Sequence, residues 1–473
     1  MTDRDDHRVA VIGGGVAGLT VALDLATAGF RPIVLEAADH CGGVLTAHRV
    51  GGLDLDAGAE SFATARPAVG DLLTELGLTS RAAAPNPVGA WVRYVGGAAP
   101  LPATSFLGIP GRPQAADVRR VIGVPGVLRC GWDAVLPARS GIPAGTSLGE
   151  IVRTRMGRRV LERLVEPVAG GVYATDPGSL EIQTVAPGLP QALIDTGSLA
   201  AAARRMRGGG QQSGSAVATL SGGLHTMVGP LVAAVRAAGG QVRTGNRVDR
   251  LVRVGSGWLI ECPDTAPVAV ELAVLALPAP PASALLAAAL PSLSAPVLAA
   301  PITRITIVTL VVEDHRLDAA PRGTGVLVSA GVTGVRAKAL THATAKWPWL
   351  AESAGPGRHV LRLSYGRGDG SDIPADDELL DISLADAGDL LGVDLLASTI
   401  ADRAGVRWPA ALPAPRPGHA EAVRRLRDEL EQQSLAVVGA AVAGSGLAAV
   451  VTDARFQATR MAERLTGVSG IAS

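Results

Sequence analysis

A glycine-rich turn between a short apolar strand and a helix is the feature that most constrains this chain. The strand VAVI leads directly into Gly13, Gly15 and Gly18, which have the spacing G-x-G-x-x-G. The first glycine allows a tight turn, the second allows close backbone approach to a pyrophosphate, and the third allows the helix to pack closely on the sheet. Residues 8–35 therefore predict a strand–turn–helix–strand unit that binds a dinucleotide.

The second strand of this unit ends at Glu36, where a carboxylate can accept hydrogen bonds from ribose hydroxyls. An acid at this position favours a free 2′-hydroxyl over a 2′-phosphate. The N-terminus of the helix adds unpaired N–H groups and a partial positive charge for the phosphates. The residues predicted to contact this half of the cofactor are Gly13, Gly15, Val16, Ala17, Gly18, Glu36 and Ala37.

A pair of glycines after the second strand distinguishes between the two common dinucleotides. Glu36 is followed by AADHCGGVLTA, which contains Gly42 and Gly43. This segment resembles the extended motif of the glutathione-reductase-type and amine-oxidase-type flavoproteins, in which a Gly-Gly pair passes beneath the FAD diphosphate. The resemblance implies that the cofactor is FAD and that Gly42 and Gly43 contact it. The basic residue usual in that motif is His40 here, and Cys41 is interpreted as a small packing residue.

Composition limits the class of partner and the cellular compartment. Forty-three basic residues balance forty-three acidic ones, and only two are lysines, so no basic surface for nucleic acid is expected. The three cysteines have no metal-like or disulfide-like spacing, which predicts free thiols in a reducing compartment. The charged N-terminus predicts no signal peptide, and prolines interrupt the uncharged stretch 272–303. We expect a cytoplasmic protein, with peripheral membrane contact left open.

Segments typical of a nucleotide-binding domain occur at the start, middle and end of the chain. We therefore predict an α/β fold: a Rossmann-like FAD-binding domain with an inserted substrate-binding domain of mixed sheet plus helices, and a helical insertion. The FAD-binding domain is predicted to comprise residues 1–66, 216–285 and 430–473. Residues 67–215 are predicted to form the helical insertion that lines the substrate site, and residues 286–429 the substrate-binding domain.

Further segments, in order along the chain, resemble the bacterial porphyrinogen oxidases, particularly the coproporphyrinogen III oxidase and protoporphyrinogen oxidase group. These segments are GGVLTAHRVGGLDLDAGAESFATARP, LVEPVAGGVYATDPGSL, SGGLHTMVGPL, RAKALTHATAKWP, VLRLSYGRGD and AVVGAAVAGSGLAAVVTDAR. The resemblance covers nearly the whole chain. It implies the amine-oxidase-like FAD fold and oxidation of a porphyrinogen.

The resemblance also implies which residues surround the cofactor. Gly58, Ala59 and Glu60 match a segment that runs beside the isoalloxazine ring in this family, and Val248 matches a residue whose backbone meets the adenine. The C-terminal turn is expected to contact the flavin through Gly439, Gly446, Leu447 and Ala448. Relatives often carry a Pro-x-Cys pair where this chain has Ala448 and Val450, so the chain departs from its relatives beside the ring.

Substrate binding is expected to combine apolar walls with cations that pair with propionates. Arg66 matches an arginine associated with a substrate propionate in the family, and Lys338, Lys346, Arg362 and Arg367 are further candidates. Tyr173 and Tyr365 are predicted to line the macrocycle. No dedicated acid–base residue is predicted, because the chain has no HExxH motif and its histidines are scattered. His225 is interpreted as a structural histidine at the start of a helix.

The expected activity is the oxidation of coproporphyrinogen III to coproporphyrin III in haem biosynthesis. Successive hydrides would pass to FAD, and molecular oxygen would be reduced to hydrogen peroxide. Protoporphyrinogen IX is the second candidate substrate. Two different functions also remain open: that of an amine oxidase or carotenoid desaturase on the same fold, and that of a flavin-binding paralogue with altered activity. The oligomeric state is left unassigned.

Overall fold

The computed structural model describes residues 8–137, 142–143, 145–173, 176–207, 216–299, 302–366, 373–413 and 418–466. Within these ranges the strands are β1 (Arg8–Ile12), β2 (Arg31–Leu35), β3 (Ala47–Val50), β4 (Leu53–Asp56), β5 (Phe62–Ala63), β6 (Ala82–Ala83), β7 (Trp91–Tyr94), β8 (Gly97–Pro100), β9 (Ser105–Phe106), β10 (Ile109–Pro110), β11 (Val217–Leu220), β12 (Gln241–Arg243), β13 (Arg250–Val254), β14 (Gly257–Cys262), β15 (Thr265–Val270), β16 (Leu272–Leu275), β17 (Ile302–Glu313), β18 (Gly325–Val328), β19 (Ala339–His342), β20 (Arg358–Tyr365), β21 (Ile400–Pro413) and β22 (Leu435–Val437).

The α-helices of the same ranges are α1 (Val16–Thr27), α2 (Ala68–Glu75), α3 (Ala116–Gly131), α4 (Leu148–Met156), α5 (Arg158–Val160), α6 (Glu166–Tyr173), α7 (Ile182–Val185), α8 (Leu189–Thr196), α9 (Leu199–Arg207), α10 (Val228–Ala237), α11 (Ala279–Ala289), α12 (Ala343–Lys346), α13 (Pro348–Ala354), α14 (Asp376–Leu391), α15 (His419–Gln432), α16 (Ala440–Ala443) and α17 (Leu447–Thr466). None of the described helices is long and apolar enough to cross a membrane.

A parallel sheet with the order β12-β2-β1-β16-β22 forms the nucleotide-binding half. Its strands come from three separate stretches of the chain, near the start, in the middle and near the end. Strand β1 is buried on both faces: Val9 and Val11 pack in one hydrophobic cluster, and Ala10 and Ile12 pack in another. Such near-continuous apolar strands are typical of parallel sheets that are covered on both sides.

Helices cover one face of this sheet and a mixture of strands and helices covers the other. On the first face α1, α10 and α17 pack together around residues such as Leu19, Leu231 and Val451. On the second face lie α11, α15 and the antiparallel sheet β13-β14-β15, in which Trp258 is fully buried. The layers on the two faces of the sheet together position the carboxyl ends of β1 and β22. The cofactor-binding turns follow these ends.

A second sheet, with the order β21-β17-β20-β19-β18-β7-β8, forms the other half of the molecule. Its neighbours are antiparallel except for β18 and β7, so the sheet is mixed, as predicted. Helix α14 packs on one face, where Leu310, Leu363 and Leu390 are buried. The opposite face lies against the nucleotide-binding half, where β3 contacts both β17 and β21.

The structure corrects the predicted domain boundaries at two places. Strands β7 and β8 lie within the predicted helical insertion, but they form the edge of the second sheet because β7 pairs with β18. Most of helix α15, residues 419–429, lies within the predicted substrate-binding domain. It packs instead on the nucleotide-binding half, through Val423, Leu426 and Leu430. Both corrections reflect pairings between residues that are distant in sequence, which local patterns do not reveal.

Candidate FAD site

The three glycines of the N-terminal turn differ in what surrounds them. Gly13 has φ +109°, and a Cβ atom there would lie 2.5 Å from the carbonyl oxygen of Ala276. A Cβ on Gly18 would overlap the carbonyl oxygen of Gly13. These two positions therefore need glycine for the fold itself, whatever ligand is bound.

Packing does not require glycine at position 15, because a Cβ atom there would meet no atom within 4 Å among the residues that the structure describes. Its φ of −72° is also accessible to any residue. Gly15 is the N-cap of α1, and no side chain caps this helix. The first N–H groups of α1 therefore face an open space, as a diphosphate site requires.

Glu36 lies where the sequence predicts, at the end of β2 beside the glycine turn. One carboxylate oxygen accepts a hydrogen bond from Gly14 N at 2.6 Å, and the other accepts one from Ala38 N at 2.9 Å. A carboxylate offers about four acceptor positions, so acceptors remain for ribose hydroxyls. Val248 lies in a neighbouring loop, whose residues Gly245 and Asn246 donate backbone hydrogen bonds to Ala38 and Glu36.

The Gly42–Gly43 pair lies directly beside the N-terminal glycine turn. Gly42 N donates to Gly14 O at 2.9 Å, and Gly42 pairs with Gly15 in an isolated parallel bridge. Gly42 and Gly43 have φ values of +130° and +58°. A Cβ on Gly43 would lie 3.4 Å from Gly15 Cα. The pair is therefore suited to pass close to a diphosphate at this turn.

The C-terminal turn meets the N-terminal turn in space. Strand β22 is the second neighbour of β1 through β16, and Gly439 follows β22 with φ +104°. A Cβ on Gly439 would lie 3.8 Å from Ala17 Cβ in the first turn of α1. Leu447 and Ala448, at the start of α17, are buried in the same hydrophobic cluster as α1. The N-terminal and C-terminal turns thus lie side by side.

A short segment, residues 57–60, lies between the Gly42–Gly43 pair and the second sheet. Ala59 N donates to Val44 O at 3.1 Å, so this segment runs beside the residue that follows Gly43. Trp408 on β21 donates its indole N–H to Ala57 O at 3.2 Å. Arg362 on β20 donates from Nη2 to Gly58 O at 2.8 Å. The second sheet therefore covers the segment that the family resemblance assigns to the isoalloxazine ring.

Glu60, at the end of this segment, joins two of the cations that the sequence analysis assigns to the substrate. Lys346 Nζ lies 2.7 Å from Glu60 Oε1, and Arg362 Nη1 lies 2.5 Å from Glu60 Oε2. We call these three side chains the Glu60 cluster. Burial alone would raise the pKa of Glu60, but the charges and hydrogen bonds of Lys346 and Arg362 hold it at about 2. Glu60 is therefore ionised at neutral pH, and it partly neutralises both cations.

A second polar group, formed by Asp56, His225 and His48, lies beside the Glu60 cluster. Of these residues only His225 is singled out from the sequence. Asp56 accepts hydrogen bonds from Leu224 N, His225 N and His225 Nδ1, and these bonds hold His225 at the start of its helical turn. Burial, together with repulsion from Arg362, lowers the pKa of the nearby His48 to about 4. His48 is thus uncharged at neutral pH. No local pattern identifies Asp56 or His48, because alternation along β4 groups the buried Asp56 with the exposed Asp54.

The remaining predicted substrate residues lie in different environments. Arg66 is exposed, just before α2, and its charge is accessible to a ligand. Lys338 is only 5 % exposed, and its backbone bonds to Val328 and Ser364 in neighbouring strands. The side chain of Tyr173 and the residue Arg367 lie outside the described residues.

The prediction that Tyr365 lines the macrocycle is wrong. Its ring is buried in the hydrophobic cluster beneath α14, and its hydroxyl donates to Asp386 at 3.2 Å. Side chains alternate between the two faces of β20. Arg362 contacts the nucleotide-binding half and Tyr365 therefore points to the opposite face.

The chain matches a known protein family along nearly its whole length. Residues 16–466 match the family described as flavin containing amine oxidoreductase. The chain is 32 % identical over 461 residues to coproporphyrinogen III oxidase of Mycobacterium tuberculosis, covering 96 % of this chain and 97 % of the relative. The enzyme of the same name from Mycobacterium leprae is 31 % identical, with coverage of 94 % and 96 %.

A solved structure from Exiguobacterium sp. 255-15, named provisionally as a protoporphyrinogen oxidase, superposes with a TM-score of 0.85. It is 25 % identical, and the match covers 97 % of this chain and 99 % of the other. The open space at Gly15, the free acceptors of Glu36 and the joined terminal turns together fit an FAD molecule. The chain therefore belongs to the flavin-containing amine oxidoreductase family and is an FAD-dependent oxidoreductase.

Proposed function

We propose that this protein oxidises coproporphyrinogen III to coproporphyrin III in haem biosynthesis, in the cytoplasm. The observation that carries the proposal is the similarity to coproporphyrinogen III oxidases along 96 % of the chain. Six hydrogens leave the macrocycle as three hydride–proton pairs. Three molecules of oxygen accept the electron pairs and leave as three molecules of hydrogen peroxide. FAD, when bound, supplies the hydride acceptor.

The protein's own part is to orient the substrate and to exclude water. The face of the second sheet that carries Arg362 and Trp408 closes over residues 57–60. Formation of the aromatic porphyrin drives the overall oxidation, so a strong general base is not required. This agrees with the histidines near this face: His225 is bonded to Asp56, and the lowered pKa of His48 leaves it a neutral side chain.

Propionate recognition distinguishes the two candidate substrates. Coproporphyrinogen III carries four propionates, whereas protoporphyrinogen IX carries two propionates and two vinyl groups. Arg66 offers an exposed guanidinium, and the Glu60 cluster keeps one net positive charge. Charge-assisted pairing of an arginine with a carboxylate contributes about 1.5–3 kcal/mol. The copro substrate gains more from such contacts than the proto substrate.

An aerobic assay with the two porphyrinogens side by side tests the proposal. We expect porphyrin fluorescence to rise faster with coproporphyrinogen III, with hydrogen peroxide formed at three molecules per porphyrin. Under anaerobic conditions the yellow flavin should bleach when coproporphyrinogen III is added. Faster turnover of protoporphyrinogen IX would make that compound the substrate. Bleaching by amines but by neither porphyrinogen would overturn the proposal and favour an amine oxidase.

Replacing Arg66 by alanine should weaken substrate binding and leave FAD bound. We expect KM for coproporphyrinogen III to rise about tenfold or more, because one charge-assisted pair is lost. Arg119→Ala is a suitable control, since Arg119 is an equally exposed arginine on α3 in the helical insertion. An unchanged KM in R66A, or an equal rise in both variants, would remove Arg66 from the substrate site.

A further inference from the structure

We propose that the Glu60 cluster tunes the bound flavin, because its one uncompensated positive charge favours the reduced form over the oxidised form. The cluster contains one carboxylate and two cations, in direct contact with one another. The inference concerns FAD alone and does not depend on the identity of the substrate.

The cluster is positioned by three different parts of the fold. Glu60 follows β4, Lys346 ends α12, and Arg362 lies within β20. Lys346 also stacks over the ring of Trp347, with Nζ 4.7 Å from the ring centroid. Asn86 supports α12 from a third direction through hydrogen bonds to the carbonyl oxygens of Ala345 and Lys346. These contacts fix the positions of the two cations, so the electric field of the cluster has a defined direction.

A short series of contacts connects the cluster to the cofactor turn. A Cβ on Gly43 would be 3.4 Å from Gly15 Cα, and the next residue, Val44, accepts a hydrogen bond from Ala59 N. Gly58, beside Ala59, accepts from Arg362 at 2.8 Å. The guanidinium of Arg362 therefore contacts residues 57–60, the segment that runs beside Val44 and the diphosphate turn. Residues 57–60 carry no side chain larger than alanine before Glu60, so a planar ring can approach their backbone.

The net charge of the cluster holds at neutral pH. Its carboxylate is ionised, and its two cations are a lysine and an arginine. His48 lies beside Arg362 and is a neutral imidazole at this pH. The Asp56 carboxylate has three donors of its own, two of them backbone N–H groups at a helix start. Hydride transfer to oxidised flavin adds one negative charge to the ring system, and a fixed positive charge nearby stabilises that state.

Two substitutions with opposite effects on charge test the proposal. Lys346→Met leaves the cluster with no net charge, and Glu60→Gln leaves it with two positive charges. We expect the flavin midpoint potential to fall in K346M and to rise in E60Q, each by about 30 mV or more. This corresponds to a tenfold change in a two-electron reduction equilibrium. Potentials are measured by equilibration with reference dyes during anaerobic reduction, with no porphyrinogen present.

Two further variants separate electrostatics from structure. Lys346→Arg keeps the charge, so its flavin midpoint potential should equal that of the wild type. Arg93→Met removes a positive charge from β7 of the same sheet, three strands from β20, where Arg93 pairs with Asp389. That separation is about 14 Å at the usual strand spacing. R93M should therefore leave the potential unchanged. The FAD dissociation constant of every variant is measured in parallel.

The signs of the shifts decide the outcome. A structural role alone would loosen FAD in both cluster variants and move their potentials in the same direction. Shifts of the same sign in K346M and E60Q, or shifts no larger than that of R93M, would overturn the proposal. If K346M fails to fold, E60Q and K346R still decide it, because only a charge effect raises the potential in E60Q and leaves it unchanged in K346R. Failure here would leave the porphyrinogen assay unaffected.

Discussion

Gly15→Val is expected to yield folded, colourless protein. The Gly15 backbone is in an extended conformation that any residue can adopt, and a Cβ atom there would meet no atom of the described residues within 4 Å. The added isopropyl group would instead occupy the open space before the first turn of α1, where the diphosphate is expected to lie. We expect FAD affinity to fall by roughly a hundredfold or more, which corresponds to about 3 kcal/mol.

The measurement is the flavin absorbance per protein chain after purification, followed by titration of apoprotein with FAD. Gly70→Val is the matched control: Gly70 lies in α2, and a Cβ there also meets no atom within 4 Å. It should purify yellow. Gly13→Val should differ from both, because its positive φ and the clash with Ala276 O destabilise the fold itself. Stoichiometric FAD in folded G15V would contradict the placement of the cofactor.

Local sequence patterns were enough to predict the elements around the cofactor. The G-x-G-x-x-G spacing predicted β1, α1 and β2, and the glycines near the C-terminus predicted the turn between β22 and α17. These elements follow from turn geometry and apolar periodicity over fewer than about twenty residues. The joining of the two turns followed from the family resemblance, and the parallel order β1-β16-β22 agrees with it.

The second sheet was harder to predict, because its edge strands carry weak local signals. Strand β21 contains Gly405 and Pro409, and many of its side chains are exposed. Such residues are tolerated on an edge strand, but they are equally typical of a loop. Strands β7 and β8 are short and precede β18 by more than two hundred residues, so only the folded chain shows that β7 pairs with it.

The Glu60 cluster could not have been predicted for a related reason. Glu60 was assigned to the cofactor, and Lys346 and Arg362 were assigned to the substrate, because each was interpreted within its own segment. The contacts that join them span 286 and 302 positions in the sequence. A sequence shows which charges are present, whereas the distance between their atoms decides whether they are free to bind a ligand.

Asp133→Ala should greatly lower the free energy of unfolding, because it leaves a buried arginine without its counter-charge. The Asp133 carboxylate accepts from Arg155 Nε at 2.6 Å, from Ser198 Oγ at 2.7 Å, and from the backbone N–H groups of Leu199 and Ala200 at 2.9 Å. The side chains of Arg155 and Asp133 are 8 % and 2 % exposed. Breaking such a pair costs about 3–5 kcal/mol. The substitution also removes the acceptor for two N–H groups at the start of α9.

Chemical denaturation with saturating FAD measures this loss of stability, and Asp195→Ala is the control for the loss of an exposed ion pair. Asp195 pairs with Arg205 at 2.6 Å in the same helical insertion, but both side chains reach solvent, so its loss should cost about 1 kcal/mol or less. The double variant D133L/R155M should regain part of the stability, because two apolar side chains can replace a buried ion pair at little cost. If D133A is no less stable than D195A, the pair does not hold α3, α4 and α9 together, and the helical insertion must depend on its apolar core alone.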